Sequence, residues 1–370
     1  MTSPRKKPTV MVLFGWSDPE GFVAVSNYAR EHHWHLEMRA YFTDMVPERW
    51  NGDGILYSQG IRERIDRFVI DQAKRCPVVS LNANLPKGLV VPVVASDNAE
   101  AGRMAARHLL ERGHRDFAYY SALGGIVSDE RRSGFEEVIR ASGYRLHAIC
   151  PRKGSNRLVP WSDQRRRLAA QLRKLPPRAG VLALDDLVAS EFIEIALEAG
   201  RRVPDDLAVV GMGNLSAVCE CSQIPITSID LRSTEVAERA AAMLDRLMAR
   251  GKMTAGSERL APGALVVRES SDTTVVRDPR LAEAIAFMTA NLRKSLSLDQ
   301  AAEAAGISRR TLYHLFCDDL GVTPADYLRR QRTQLADRLL REHPGMTRRE
   351  AAGKAGFAST RSLSRSLGNG

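Results

Sequence analysis

The stretch LSLDQAAEAAGISRRTLYHLFCDDLGVTPADYLRR, Leu296–Arg330, decides how the chain is read. Ala301, Ala302 and Ala305 recur at helical spacing, and Gly306 then interrupts the helix. Ser308 is placed to cap a second helix, since its hydroxyl can accept from the unpaired amides of the first turn. On that helix Leu312, Leu315 and Phe316 serve a core, leaving Arg309, Arg310, Tyr313 and His314 on the open face. Two short helices joined by a glycine turn, the second rich in side chains that can meet bases and phosphates, read as a helix-turn-helix. The expectation is that this segment holds DNA and that the preceding 270 or so residues decide when.

Charge supports that division. The net charge is +10, and from Val276 onward sixteen Lys and Arg face ten Asp and Glu, a net +6 over 95 residues. The other 275 residues carry only +4, so the basic excess is densest around the motif. A chain of 370 residues exceeds one ordinary core, which predicts two or three domains. Its five cysteines are scattered at Cys76, Cys150, Cys219, Cys221 and Cys317, an odd set without framework spacing that suits a reducing compartment. The apolar run Val10–Phe14 is too short for a signal-peptide core, and no stretch approaches the ~20 apolar residues of a membrane helix. A cytoplasmic location without a membrane partner is the expectation.

Upstream, short apolar runs alternate with helical stretches. TVMVLF (Thr9–Phe14), WHLEMR (Trp34–Arg39), GILY (Gly54–Tyr57), VVSL (Val78–Leu81) and VPVVA (Val91–Ala95) read as strands, with helices over Phe22–Glu31 and Asn98–Glu111. A second series follows. Its strands are Phe117–Ser121, Gly180–Leu184, Leu207–Gly211, Ile226–Asp230 and Ala264–Arg268, and its helices are Glu130–Ala141, Val188–Ala199 and Thr234–Met248. This alternation predicts two α/β halves around mostly parallel sheets, with a ligand cleft where the strand ends of both meet. Polar Glu269–Pro279 (ESSDTTVVRDP) reads as a linker. Beyond it lie a helix over Asp278–Lys294, the helix-turn-helix, and a long helix to Glu342 opened by Pro324. ASTRSLSRSL (Ala358–Leu367) overlays ISRRTLYHLF (Ile307–Phe316), so the motif is repeated.

The residues also carry a family likeness. AAEAAGISRRTLYHLF, DDLGVTPADYLRRQR and AGFASTRSLSRSL resemble the AraC/XylS-type DNA-binding domain, here over residues 280–370. VVASDNAEAGRMAARHLLERGHRDFAYY, ERRSGFEEVI and VLALDDLVASEFIEIALEAGRRVPDDLAVVGMGN, followed by IPITSID, resemble the sugar-binding core of LacI/GalR-type regulators over residues 8–270, with a linker at 271–279. The pairing is similar to that of the xylose-responsive regulators of the XylR type. It implies an α/β two-lobed, periplasmic-binding-protein-like sensor domain plus an all-α C-terminal domain with two helix-turn-helix units.

On that likeness the base-facing positions fall at Arg310, Tyr313 and His314 in the first unit and at Arg361, Ser364 and Arg365 in the second. Arginine forks onto guanine, and each good pair discriminates by ~1–3 kcal/mol. Arg309, Arg329, Arg330 and Arg332 are expected on phosphates, which position without specifying. In the sensor, Arg131 takes the sugar-clamping place of the RxxGF pattern ending at Phe135, and Asp185 that of a ligand-contacting Asn or Asp. Asp18 and Glu20 are candidates for the cleft, although Asp18 equally suits a helix cap. Where the family carries an acid after its next strand, this chain has Gly213, which removes one expected hydroxyl acceptor. The second helix-turn-helix has Arg348 and Ala351 at two usually isoleucine positions. Its closing segment is also replaced by Gly368–Asn369–Gly370, so it is expected to pack less well and to read less of the sequence.

Three further features point elsewhere and are set aside. His32, His33 and His35 sit where a helix gives way to a strand, with no completing ligand, so no metal is expected. Cys219 and Cys221 form a lone C-x-C, and GGIVSDE (Gly124–Glu130) lacks the ending of a phosphate loop. No nucleophile–base–acid set stands out, so neither enzyme chemistry nor a cofactor is expected. The chain is therefore expected to be a sequence-specific transcriptional regulator that binds operator DNA under control of a small carbohydrate, a xylose-like pentose by family default. It should work as a homodimer, with RNA polymerase as a further partner. The competing readings are a sugar-binding module with impaired DNA binding and, in third place, a sugar-active enzyme.

Overall fold

The structure, a computed structural model, describes residues 7–14, 18–43, 45–58, 63–149, 161–251, 256–273, 275–276, 278–343 and 345–367. The chain forms two compact units, residues 1–106 with 116–272 and residues 107–115 with 273–370.

In the first unit the opening apolar run makes β1 (Thr9–Leu13), buried from Val10 on, as suits a parallel strand covered on both faces. Asp18 caps α1 (Pro19–Glu31), whose proline sits where a missing amide costs nothing. There follow β2 (His35–Glu37), α2 (Arg39–Thr43), β3 (Gly54–Tyr57), α3 (Glu63–Gln72), β4 (Val78–Ser80) and β5 (Val94–Ser96). Parallel pairing orders the first sheet β2-β1-β3-β4.

From α4 (Asn98–Glu111) the chain builds its second lobe. The elements are β6 (Phe117–Tyr120), α5 (Ile126–Ala141), β7 (Leu146–Ile149), α6 (Trp161–Leu172), β8 (Ala179–Ala183), α7 (Asp186–Glu198), β9 (Leu207–Gly213), α8 (Ser216–Cys219) and β10 (Thr227–Asp230). The chain then returns to the first lobe, where α9 (Ser233–Arg250) buries Val236, Ala240 and Leu244 in one core with Val10, Ala24 and Val25. β11 (Glu258–Leu260) adds parallel to β5, and β12 (Leu265–Val266) closes the second sheet antiparallel to β10. That sheet runs β12-β10-β9-β8-β6-β7. β1 and β6 each have a later strand on either side, so the crevice beyond their carboxyl ends is the place where such sheets bind ligands.

Several elements differ from the sequence expectation, each for a local reason. The strand expected over Trp34–Arg39 shrinks to His35–Glu37, because Arg39 already opens α2. β7 was not anticipated: it is an edge strand whose middle residues His147 and Ala148 are exposed, so it shows no apolar run. α6 was missed because, among its described side chains, only Leu168 and Leu172 are fully buried. α5 begins at Ile126 rather than Glu130, with Val127 N–H held by Asn84 Oδ1 at 3.1 Å. The expected linker starts as packed chain. Glu269–Ser271 forms a 3₁₀ turn in which Ser270 and Ser271 are fully buried. Cys150 and, within the expected linker, Thr274 and Arg277 lie outside the described residues, as do the terminal residues Gly368, Asn369 and Gly370.

The helical unit comprises α10 (Pro279–Ala290), α11 (Leu298–Ala304), α12 (Arg309–Leu320), α13 (Pro324–Glu342), α14 (Arg348–Lys354) and α15 (Thr360–Leu367). Its two motifs share one local grammar. Ser297 with Gln300, and Thr347 with Glu350, close reciprocal capping boxes on α11 and α14. Gly306 and Gly356 then take φ of 63° and 80°, the left-handed turn conformation that a side chain would strain. Ser308 and Ser359 accept from Thr311 N–H and Ser362 N–H and so start the second helix of each pair. Residues 107–115 pack within this unit: Val275 N–H donates to Arg112 O at 2.7 Å, and Arg330 pairs with Glu111 at 3.0 Å.

Candidate ligand cleft and nucleic-acid interface

A cavity of ≈ 550 Å³ opens beyond the carboxyl ends of the strands in the first unit. Its lining brings together Asp18, Glu20, Arg131 and Asp185, the candidates drawn from the sequence. Each is placed by local backbone physics. Asp18 and Asp185 are N-caps of α1 and α7, accepting from Gly21 N–H at 2.8 Å and Val188 N–H at 2.9 Å. A capping carboxylate commits one oxygen to the helix and is held beside the positive end of its dipole. For Asp18 the cap reading and the cleft-facing reading are thus compatible.

Arg131 is buried on α5 and held from two sides. Its Nε donates to Asn98 Oδ1 at 2.9 Å, and its guanidinium also donates to Leu184 O. Asn98 is in turn fixed by donating to Glu130 at 3.0 Å, and Glu130 takes both arms of Arg259 at 3.0 and 2.8 Å. Burial lowers the Arg131 pKa, and the fields of Tyr119, Asp185, Asp186 and Glu130 oppose that shift. The result is a pre-oriented cation in a cleft whose other lining combines carboxylates, amides and hydroxyls with apolar side chains such as Leu13, Phe14, Val127 and Met212. Such a set can hydrogen-bond a polyhydroxylated ligand without ordering new side chains, which limits the entropic cost of binding.

Sequence reading missed Asn98, Asn82, Asn84 and Asp186, all of which line the cavity. The signal was their position just beyond a strand's carboxyl end. Asp186 is the second acid of the DD pair and the more buried one. Ser228 Oγ donates to it at 2.5 Å and Leu215 N–H at 2.7 Å. Burial raises its pKa, and these donors, together with the Cys219 thiol, pull it back down. Gly213 stands opposite with φ of 125°, where a Cβ would lie 3.2 Å from Asp186 Oδ2. Backbone conformation alone therefore disfavours an acid at that position.

In the helical unit, Arg310, Tyr313 and His314 project from the exposed face of α12, while Leu312, Phe316 and Leu320 are buried on the other. Tyr313 remains 49% exposed, an aromatic without an intramolecular core to fill. α15 repeats the pattern, with Arg361, Ser364 and Arg365 exposed and Leu363 buried. Arg309 is exposed and loosely paired with Asp299 at 3.3 Å, and Arg329 with Asp326 at 2.8 Å. Surface pairs of this kind are worth little and yield to a phosphate. Arg332 departs from its expected role: it donates to the carbonyls of Leu292 (3.1 Å) and Lys294 (2.8 Å) and ties α13 to the end of α10. No helix among the described residues is long and apolar enough to cross a membrane.

Comparison with known proteins agrees with this geometry. Residues 106–271 match the periplasmic binding protein-like domain, and residues 301–368 match a helix-turn-helix domain. The xylose operon regulatory protein of Escherichia coli K12 is 26% identical over 300 residues, which cover 79% of this chain and 74% of that one. The regulator CelR of Thermobifida fusca is 32% identical over 183 residues, 49% of this chain and 52% of that one. Among solved structures, the xylose-binding transcription activator xylR aligns over 97% of this chain and 94% of its own, with TM-score 0.61 at 22% identity. A CelR–cellobiose complex aligns over 73% of this chain and 86% of its own, with TM-score 0.56 at 21% identity. These relatives are transcriptional regulators, not enzymes. The chain thus joins a periplasmic binding protein-like domain to a helix-turn-helix domain, and it is homologous to the xylose operon regulatory protein of Escherichia coli.

Proposed function

We propose that this protein is a transcriptional regulator whose DNA binding is set by a small carbohydrate, with a xylose-like pentose as the first candidate. The observation that carries the reading is the buried, doubly anchored Arg131 at a strand-end cleft, in the same chain as two exposed recognition-helix faces. Arg131 and Asp185, with Asp18 at the rim, are the hydroxyl contacts in this reading. Arg310, Tyr313 and His314 read bases, Arg361, Ser364 and Arg365 extend the site, and Arg309 meets phosphate. Ligand acts only through its differential affinity for two arrangements of the sensor lobes. The pentose choice is supported by the xylose operon relatives. A cytoplasmic homodimer on paired half-sites, with RNA polymerase as a further contact, is the working assembly.

A thermal-shift panel of pentoses, hexoses and sugar acids tests the sensor. Stabilisation by D-xylose or a close pentose is expected, and stabilisation by none of the sugars sinks the carbohydrate reading. A gel shift on the DNA upstream of the protein's own gene tests the reader. Binding should weaken steeply with salt, because each phosphate neutralised releases counterions. Salt-insensitive or absent binding removes the regulator reading.

A further inference from the structure

Asp186 lines the cleft with both carboxylate oxygens already taken by protein donors, and those bonds lead to the end of the sensor unit. Asp186 takes Leu215 N–H on one oxygen and Ser228 Oγ on the other. Ser228 Oγ also receives Asn214 N–H at 2.9 Å, and Asn214 Oδ1 receives Arg268 at 3.0 Å. Arg268 further donates to Ile226 O at 3.0 Å and to Glu220 at 2.7 Å. Its own backbone is clasped by Thr227, whose Oγ1 accepts from Arg268 N–H and donates to Arg268 O, both at 2.9 Å. Thr227 N–H then donates to Ser270 Oγ at 2.8 Å, and Ser271 Oγ donates to Thr227 Oγ1 at 2.8 Å.

We propose that Asp186 and Arg268 are positioning residues joining the cleft wall Gly213–Leu215 to the buried Ser270–Ser271 exit turn. Through this chain of bonds, occupancy of the cleft reaches the segment that leads to the DNA-reading unit. The argument is geometric. Gly213 and Leu215 line the cavity, and just past the β9 ladder the amides of Asn214 and Leu215 are satisfied by side chains of the network. The exit turn is likewise held by Thr227 and by Ser270 Oγ donating to Val209 O at 2.7 Å. A buried polar network of this kind is stiff when complete and loosens as a whole when one member is lost. The proposal rests on the cleft being the ligand site, but its test needs neither ligand nor DNA.

Hydrogen exchange on the full chain, wild type against Asp186→Asn and Ser228→Ala, reads both ends at once. The amides of Asn214 and Leu215 report the wall, and those of Thr227, Arg268 and Ser270 report the exit. Both variants should accelerate exchange at both ends by about tenfold, while the β1 amides stay unchanged. Acceleration confined to the wall overturns the proposal. So does uniform acceleration that includes β1, which would mean simple loss of stability. If neither sugar nor operator binds in the earlier assays, the proposed function fails while this result stands or falls by itself.

Discussion

The two helix-turn-helix units are alike in their N-caps, their turn glycines and the alanines they bury, and unlike in the large side chains packed around them. Both open with a capping box, turn at a left-handed glycine and restart on a serine cap. The first anchors these helices on Leu312, Phe316, Leu320, Tyr327, Leu328, Leu281 and Met288. Among the described residues, the second rests on Ala336, Ala351, Ala352 and Ala355 with Leu363, backed by partly buried Leu335, Leu340, Met346 and Phe357. Burying a large apolar side chain contributes ~1.5–3 kcal/mol, and an alanine far less. Local hydrogen bonding therefore sets the shape of a reading head, while side-chain volume sets how firmly it is held.

The largest effect should come from emptying the cores. Phe316→Ala should cost about 3–5 kcal/mol and end DNA binding, whereas Leu363→Ala should cost less than Phe316→Ala and leave α12 protected. Denaturant unfolding with exchange mapping checks this, and equal costs would remove the asymmetry. Next, Arg310→Ala should remove specific operator binding, while Arg361→Ala should weaken it by about 1 kcal/mol, the low end for one base contact. Sugar-induced thermal stabilisation should persist in Arg310→Ala and vanish in Arg131→Ala, whose DNA binding survives. A mutant that loses both functions together would point to misfolding.

Acid should loosen the first reader. His108, in the 107–115 segment that Arg115 ties to Asp319 O near the end of α12, has its pKa held well below 6.5 by burial and by neighbouring Arg112 and His114. The unfolded chain thus takes up a proton that the folded one refuses. The stabilisation is complete above about pH 6.5 and is lost as pH falls below that value. Exchange in α12 should quicken on acidification more than exchange in α15, and His108→Gln should flatten the difference. The smallest effect belongs to the caps. Ser308→Ala and Ser359→Ala should each cost ~1 kcal/mol, equally, because the caps are equivalent.

That equivalence also explains what the sequence made legible. Caps, turn glycines and buried strands such as Gly54–Tyr57 are local, so one window of residues displays them. β7 and α6 were hidden because an edge strand and a peripheral helix bury few side chains. Arg131 and Asp185 were legible through the family pattern and Asp18 through its place after the first strand, and all three line the cavity. Which acid of the DD pair is buried, and that Arg332 is spent on the carbonyls of Leu292 and Lys294, depends on contacts far away in sequence.

Gly213 constrains how this cleft can be retuned. With φ of 125° and Asp186 at its face, the position cannot recover a carboxylate by one substitution without bending the wall. The free carboxylate oxygens nearest to hand lie at the starts of α1 and α7, where Asp18 and Asp185 already double as caps. Each gain in recognition there would draw on the stability of a helix, so changes of effector should arise slowly and together with compensating changes in those helices.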